Sequence, residues 1–124
     1  MQKKNIDVEV WGSGKPIREF LHVDDLANAI LTVLKTDKKK IHKIFKGKLP
    51  IINIGSGESI TIKKLTLLIK KIINYEGKIF FNKDYPDGTI NKNLDSTMIK
   101  KLKWKAKIKL AAGLHKIIIS RSLL

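Results

Sequence analysis

The sequence contains no cysteine, and this absence removes several kinds of site at once. Without thiols there is no disulfide framework, no thiolate-bound metal and no cysteine nucleophile, so we expect a reducing, cytoplasmic setting. Long apolar runs are missing too: none approaches the roughly 20 residues of a membrane-spanning helix, and the N-terminus lacks the apolar centre of a signal peptide. The sequence therefore predicts a soluble, unexported protein.

The glycine pattern of a dinucleotide-binding fold is incomplete. Two turns, Gly12-Ser13-Gly14 and Gly55-Ser56-Gly57, carry the first two glycines of that fingerprint, but isoleucine occupies the third position in each, at Ile17 and Ile60. The second turn follows an apolar run and precedes a helical pattern, yet Glu58 would oppose a phosphate there. We interpret it as a structural turn.

Catalytic side chains are missing in a similar way. Redox chemistry on a sugar hydroxyl would use a tyrosine with a lysine four residues later, because the ammonium group lowers the pKa of the phenol. Tyr75 is followed at that spacing by Ile79, and Tyr85 by Thr89. The histidines are too scattered to predict a metal site. The sequence thus assigns no catalytic, cofactor-binding or metal-binding residue.

Arginine is scarce although the chain is strongly basic. The formal net charge is +15, yet of 26 basic residues Arg18 and Arg121 are arginine and the other 24 are lysine. Such a charge suggests nucleic acid or an anionic surface, but surfaces that read bases or grip phosphates rely on arginine. An excess of lysine is also what an AT-rich genome produces in almost any protein. We therefore keep nucleic-acid binding as an alternative and expect no membrane binding.

Strand and helix patterns alternate along the chain, which predicts a mixed α/β fold in a single domain spanning residues 1–124. Residues 37–48 are read as a basic linker, most simply an exposed connection. The predicted strands are 8–11, a buried strand over 49–54, and 78–81; the predicted helices are 24–36, a helix capped by Thr61 and running to about 75, one over 96–103, and one from about 109 onward.

Arg18 stands just after the first glycine turn, at the start of an extended pattern. A guanidinium offers a planar fork for two phosphate oxygens, which a lysine cannot imitate. The alternative is a salt bridge to Glu19, Asp24 or Asp25, which composition alone favours. The turn at 84–89 lies upstream of Lys92, and a diphosphate is best met by more than one cation, so Arg18 and Lys92 could form a pair.

Four stretches carry a family resemblance: VEVWGSGKPIREFLHVDDLANAI, NIGSGESITIKKLTLLI, DYPDGTINKNLDSTMIKKLKW and KIKLAAGL. In order and without large gaps, they resemble the carboxyl-terminal half of the GDP-L-fucose synthase family. That family belongs to the extended short-chain dehydrogenase/reductases of the NAD-dependent epimerase/dehydratase type. Its members epimerise and reduce GDP-4-keto-6-deoxymannose with NADPH. The W-G-S-G turn and the P-D-G-T turn with its following lysine are the most specific matches.

The resemblance implies roles for particular residues. It places the nucleotide diphosphate on Arg18 and Lys92 and puts Trp11 in the substrate pocket near the nucleotide, with a simple core aromatic as the alternative for Trp11. Two positions depart from the pattern: Tyr85 replaces a usual lysine, and Lys64 replaces a glutamate of a capping box. The remaining matches, which look like packing residues, are Leu102, Trp104, Ile108 and Leu110.

The resemblance also implies what is absent from this chain, namely the Rossmann half that binds NADPH and carries the catalytic serine, tyrosine and lysine. We therefore expect a GDP-sugar-binding half, truncated or encoded by a split gene, that is inactive alone and binds no NADP(H) by itself. A separate Rossmann-domain chain is a possible partner. Apolar surface left exposed would favour self-association. The alternative is a free-standing basic module that binds nucleotides or nucleic acid.

Overall fold

The computed structural model describes residues 6–46, 49 and 51–122, and it has the mixed α/β character that the sequence predicts. The elements in chain order are β1 (Val8–Trp11), β2 (Ile17–Glu19), α1 (Val23–Leu34), α2 (Lys38–Phe45), β3 (Ser59–Thr61), α3 (Ile62–Ile72), β4 (Ile79–Asn82), β5 (Asn91–Lys92), α4 (Thr97–Lys101) and α5 (Leu110–Ser122). The chain divides into two compact units. Unit 1 comprises Met1–Arg18, Ser59–Lys92 and Ala111–Leu124, and unit 2 comprises Glu19–Glu58 and Asn93–Leu110.

Unit 1 is built on short parallel strand pairs. β1 and β4 pair from Val8 opposite Ile79 to Trp11 opposite Asn82. β2 lies between β3 and β5, and its pairing with β5 sets Arg18 opposite Lys92. The strand at 8–11 was predicted from the sequence, and the strand predicted at 78–81 is observed at Ile79–Asn82. β3 and β5 are too short to show an apolar pattern.

The turn that follows β1 is hydrogen-bonded to the start of α3. Thr61 caps this helix as predicted, since its hydroxyl accepts the amide of Lys64 at 3.2 Å. The two preceding amides are also satisfied: Ile62 donates to the carbonyl of Pro16 and Lys63 to that of Gly14, both at 2.9 Å. The helix start therefore holds the 12–16 turn in place, although Lys64 cannot complete a capping box.

Unit 2 has a small apolar core formed by Ala29, Ile99, Leu102 and Trp104. The prediction that Leu102 and Trp104 are packing residues is confirmed. A carboxylate lies beside this core: Asp25 is only 5% exposed, and it accepts the backbone amides of Lys107 and Ile108 at 3.0 and 2.8 Å. These two bonds tie helix α1, predicted at 24–36 and observed at Val23–Leu34, to the segment that follows α4.

The predicted basic linker at 37–48 is largely exposed, as expected, but residues 38–45 form helix α2 instead of an irregular connection. Asp37 caps it by accepting the amide of Lys39 at 2.7 Å, and Phe45 in its last turn is buried. The run of lysines hid an apolar spacing at Ile41, Ile44 and Phe45 that suits one helix face. Residues 47 and 48 lie outside the described part of the chain.

The predicted buried strand at 49–54 is also not formed. Ile51 to Ile54 alternate between exposed and half-buried side chains, as a strand would, with Ile52 and Ile54 turned to the unit 2 core. However, the backbone amides of residues 52–54 make no hydrogen bond to any part of the chain that the structure describes. The local pattern is therefore that of a strand, but none of the strands that the structure describes pairs with it. Residue 50 is outside the described residues.

Among the residues described, no helix is both long and apolar enough to cross a membrane.

Candidate functional site

The two predicted anion-binding cations come together in unit 1. Arg18 on β2 and Lys92 on β5 are register partners on adjacent parallel strands. Side chains of directly paired residues leave a sheet on the same face, with strands about 4.8 Å apart. The pairing thus brings Arg18 and Lys92 to neighbouring positions on one face of the sheet, although they are 74 positions apart in the sequence.

The guanidinium of Arg18 is held by backbone carbonyls. Its Nη1 donates to the carbonyls of Ile17 and Thr89, each at 2.7 Å. Nη2 and Nε make no hydrogen bond within the described residues and remain able to donate to a ligand. Gly88 keeps the approach open, because a Cβ at that position would lie 3.3 Å from Nη2. Arg18 is therefore fixed in direction while part of its fork is unused.

Two of the carboxylates that the sequence offers as salt-bridge partners of Arg18 accept backbone amides. Glu19 accepts the amide of Gly57 at 2.6 Å on one oxygen and that of Leu94 at 3.0 Å on the other. Asp25 accepts the two amides described above. Asp24 lies in the first turn of α1, 3.6 Å from a ring nitrogen of His22. The described polar contacts of the Arg18 side chain are with backbone carbonyls.

A shallow cleft of about 120 Å³ opens beside Arg18. Pockets that enclose a small-molecule ligand have volumes of roughly 300–1,000 Å³, so this cleft can hold only part of a nucleotide, such as its diphosphate. Its lining residues come from the turn after β1, the start of α3 and the P-D-G turn: Trp11, Gly14, Pro16, Arg18, Ile62, Pro86, Asp87 and Gly88. The predicted site residues Trp11 and Arg18 therefore share one cleft, and Lys92 stands next to Arg18.

The two turns that wall this cleft are joined through Asp87. The amide and the hydroxyl of Ser13 donate to its two carboxylate oxygens, at 2.7 and 2.5 Å. The hydroxyl bond, then the amide bond, and then the charge of Lys15 lower the pKa of Asp87 below the ordinary aspartate value. Gly12 is required beside this carboxylate, since its φ is +85° and a Cβ there would lie 2.5 Å from an Asp87 oxygen. Sequence reasoning treated this P-D-G turn as a backbone feature and missed its carboxylate.

Trp11 is an exposed residue, so its interpretation as a core aromatic is wrong. Its side chain is 67% exposed, and its ring stacks on that of Tyr85 with centroids 4.3 Å apart and planes 10° from parallel. Tyr85 is 40% exposed and immediately precedes the P-D-G turn. The sequence signalled Tyr85 only as a departure from the family pattern. The contact between the two rings could not be read from residues 74 positions apart.

The residues present do not fit the pyrophosphate of a dinucleotide cofactor. Both glycine-serine-glycine turns direct their amides at a carboxylate of the chain itself: Ser13 at Asp87, and Gly57 at Glu19. At the second turn a Cβ on Gly55 would collide with Glu19. Because an anion already occupies each turn, neither is available to bind phosphate in the way that a Rossmann loop does. No group of metal-ligating side chains occurs within the described residues either.

Residues 1–55 match the model of the NAD-dependent epimerase/dehydratase family. Among curated proteins, the chain is 44% identical over 108 residues to the GDP-L-fucose synthase of Escherichia coli K12, an alignment that covers 87% of this chain and 34% of the relative. It is 41% identical over 108 residues to a probable GDP-L-fucose synthase 1 of rice, covering 87% of this chain and 30% of the relative.

Among solved structures, too, the chain is similar to an enzyme that acts on a GDP-linked sugar. A GDP-6-OMe-4-keto-L-xylo-heptose reductase from Campylobacter jejuni superimposes with a TM-score of 0.83 at 40% identity, over 94% of this chain and 34% of that one. The chain therefore spans about a third of the length of the proteins that it resembles. The match extends over most of this chain in both sequence and fold.

Proposed function

Because residues 1–55 match the model of the NAD-dependent epimerase/dehydratase family, we propose that the chain holds the nucleoside diphosphate part of a GDP-sugar in an epimerase or reductase of the GDP-L-fucose synthase type. The relatives named above are two GDP-L-fucose synthases, one of them described as probable, and a GDP-heptose reductase. The names of all three contain a GDP-linked sugar. In this proposal Arg18 and Lys92 bind the diphosphate and Trp11 contacts the nucleoside.

The observation that carries the proposal is the pairing of Arg18 with Lys92 beside the cleft. A diphosphate brings about two negative charges, and an arginine fork together with a lysine point charge meets them at the spacing of adjacent strands. The carbonyl bonds of Arg18 orient its fork before any ligand arrives, so little side-chain freedom remains to be lost on binding.

The chemistry of such an enzyme requires groups that the described residues do not provide. NADPH, when bound, would supply the hydride for the reduction, but both glycine turns of this chain hold internal carboxylates. A solved relative, the GDP-mannoheptose C4 reductase of Campylobacter jejuni, has NADP bound. We therefore assign NADP(H) to a Rossmann-type half and substrate binding to unit 1. Activity is expected when both are present.

Unit 2 offers a surface for that other half. Apolar side chains at 23, 26, 30 and 34 form a stripe on α1, between 39% and 74% exposed, while Asp25 and Ala29 on another face are buried. The backbone amides of residues 52–54 make no hydrogen bond within the described part of the chain. A helix face and a strand edge of this kind suit a parallel sheet, whose strands need neighbours and whose faces need helices.

Calorimetry with GDP, GDP-mannose and NADPH tests the proposal on the purified chain. We expect weak binding of GDP and GDP-mannose, no measurable binding of NADPH, and loss of GDP binding in Arg18→Ala. The shallow cleft limits the affinity. Tight binding of NADPH without GDP would overturn the assignment of Arg18 and Lys92.

A salt titration separates this function from a general affinity for polyanions. The lysine-rich surface would bind nucleic acid with a steep dependence on salt and without preference among bases. A specific site prefers GDP to ADP and requires Arg18. If the chain binds ADP and GDP equally, and Arg18→Ala binds both as the wild type does, the lysine surface is the binding element and the GDP-sugar assignment is wrong.

A further inference from the structure

The two faces of the Trp11 indole ring have different surroundings. One face lies against Tyr85 at a centroid distance of 4.3 Å. Since Trp11 is nevertheless 67% exposed, its other face is open to solvent at the edge of the cleft that contains Arg18. An exposed aromatic plane beside a phosphate-binding arginine is suited to stacking by a nucleobase.

Tyr85 is itself held in place from its carboxyl-terminal side. It precedes Pro86, which restricts its backbone to extended conformations. The next residue, Asp87, is bound to Ser13 by two hydrogen bonds, and Ser13 is two positions after Trp11. The backbones of both stacked residues are therefore linked through one carboxylate, and the tyrosine ring restrains the remaining torsions of the indole.

We propose that Tyr85 is a positioning residue that orients Trp11 for stacking on the nucleobase, and so contributes to recognition of the nucleoside rather than of the diphosphate. This inference rests on the proposed function of the same cleft. It adds a residue that the family pattern does not supply, because the position is usually a lysine in the resembling sequences. Tyr85 acts through Trp11 and need not touch the ligand.

Comparing the affinities for GDP and for inorganic pyrophosphate distinguishes an effect on nucleoside binding from an effect on diphosphate binding. Tyr85→Leu removes the ring but keeps an apolar side chain, and Tyr85→Phe keeps the ring. We expect Tyr85→Leu to weaken GDP about fivefold while leaving the affinity for inorganic pyrophosphate unchanged, and Tyr85→Phe to restore GDP affinity. Phe80→Leu is the matched control, since Phe80 is an aromatic residue of the same unit that is 49% exposed. If Tyr85→Leu weakens pyrophosphate and GDP equally, the stack supports the whole cleft and the inference is wrong.

Tryptophan fluorescence supplies a readout that does not depend on GDP binding. The chain has two tryptophans, and Trp104 is only 6% exposed, so acrylamide quenching and fast depolarisation report mainly on Trp11. Trp11→Phe gives the Trp104 signal for subtraction. We expect Trp11 in Tyr85→Leu to be quenched more strongly and to show faster local motion, with wild-type behaviour in Tyr85→Phe. Unchanged Trp11 motion in Tyr85→Leu would overturn the positioning role, whereas failure of the wild type to bind GDP would overturn the proposed function.

Discussion

Ser13 and Asp87, 74 positions apart in the sequence, share two hydrogen bonds that fasten the W-G-S-G turn to the P-D-G turn. The two turns carry the aromatic and backbone walls of the Arg18 cleft. Gly12 and Gly14 adopt positive φ angles in the first turn. The link between the two turns is a carboxylate that must be ionised to accept both donors. Its protonation state therefore matters for the geometry of the site.

The first prediction concerns acid pH. Because the bonds from Ser13 lower the pKa of Asp87 in the folded chain, the link contributes stability that is present above the ordinary aspartate value of about 3.9 and is lost as the pH falls through the lower folded value. GDP binding should thus be insensitive to Asp87 between pH 5 and 8. In Asp87→Asn we expect a weakened cleft at all of these pH values, measured as a several-fold loss of GDP affinity. The carboxyl carbon chemical shift of Asp87, followed by NMR, gives the pKa directly, and a value above that of free aspartate would contradict the prediction.

The second prediction concerns Lys92. Removing one of two cations that face a diphosphate should cost about 1.5–3 kcal/mol, the usual contribution of a charge-assisted hydrogen bond, and so lower GDP affinity roughly 10- to 100-fold. Lys92→Ala should also reduce the salt dependence of binding. Lys64→Ala is the control, because it removes one exposed lysine charge from the same unit away from the cleft lining. Equal losses in the two variants would mean that net charge, and not the pairing of Lys92 with Arg18, sets the affinity.

Local sequence patterns predicted much of unit 1 but not the contacts that make its site. Apolar spacing predicted α3, and the threonine before it predicted the cap at Thr61. The tetrapeptides VEVW and KIFF predicted β1 and most of β4. The pairing of Arg18 with Lys92 follows from a strand of only two residues, which has no periodicity to detect. The Trp11–Tyr85 stack likewise depends on tertiary contacts.

In unit 2 the errors have a common physical cause. The segment 37–48 was judged by its charge, although the apolar side chains of Ile41, Ile44 and Phe45 determine its structure. The strand predicted at 49–54 rests on β-branched residues, whose preference for a strand depends on pairing with a neighbouring strand. In each segment the local composition predicted a preference for one backbone conformation. The tertiary contacts of the segment determined whether that conformation formed.

The third prediction tests the buried carboxylate of unit 2. Asp25→Ala would leave the amides of Lys107 and Ile108 without their acceptor in a site where the carboxylate is 5% exposed. An unsatisfied buried donor costs about 1–3 kcal/mol, so we expect a loss of stability in this range or above it for two donors. Denaturant unfolding followed by the fluorescence of buried Trp104 measures it. Asp37→Ala, which removes an exposed helix cap, is the comparison and should cost about 1 kcal/mol. A larger loss for Asp37→Ala than for Asp25→Ala would contradict this assignment of the main anchor.

The last prediction concerns self-association through the apolar stripe of α1, defined by positions 23, 26, 30 and 34. Leu34 is 74% exposed and Ile30 is 46% exposed, so their burial against a second copy would be favourable, whereas the formal charge of +15 on each chain opposes the approach. Salt screens that repulsion, and the predicted sign follows: raising the salt concentration should increase self-association while it weakens GDP binding. Sedimentation of the wild type at low and high salt measures the first effect.

Ile30→Lys with Leu34→Lys should keep the chain monomeric without lowering its stability, because neither side chain belongs to the unit 2 core. Leu67→Lys, which changes a half-exposed leucine of unit 1, is the matched control and should associate as the wild type does. Association that persists in the α1 variant and is lost in the control would place the contact surface on unit 1 and leave α1 without a role in it.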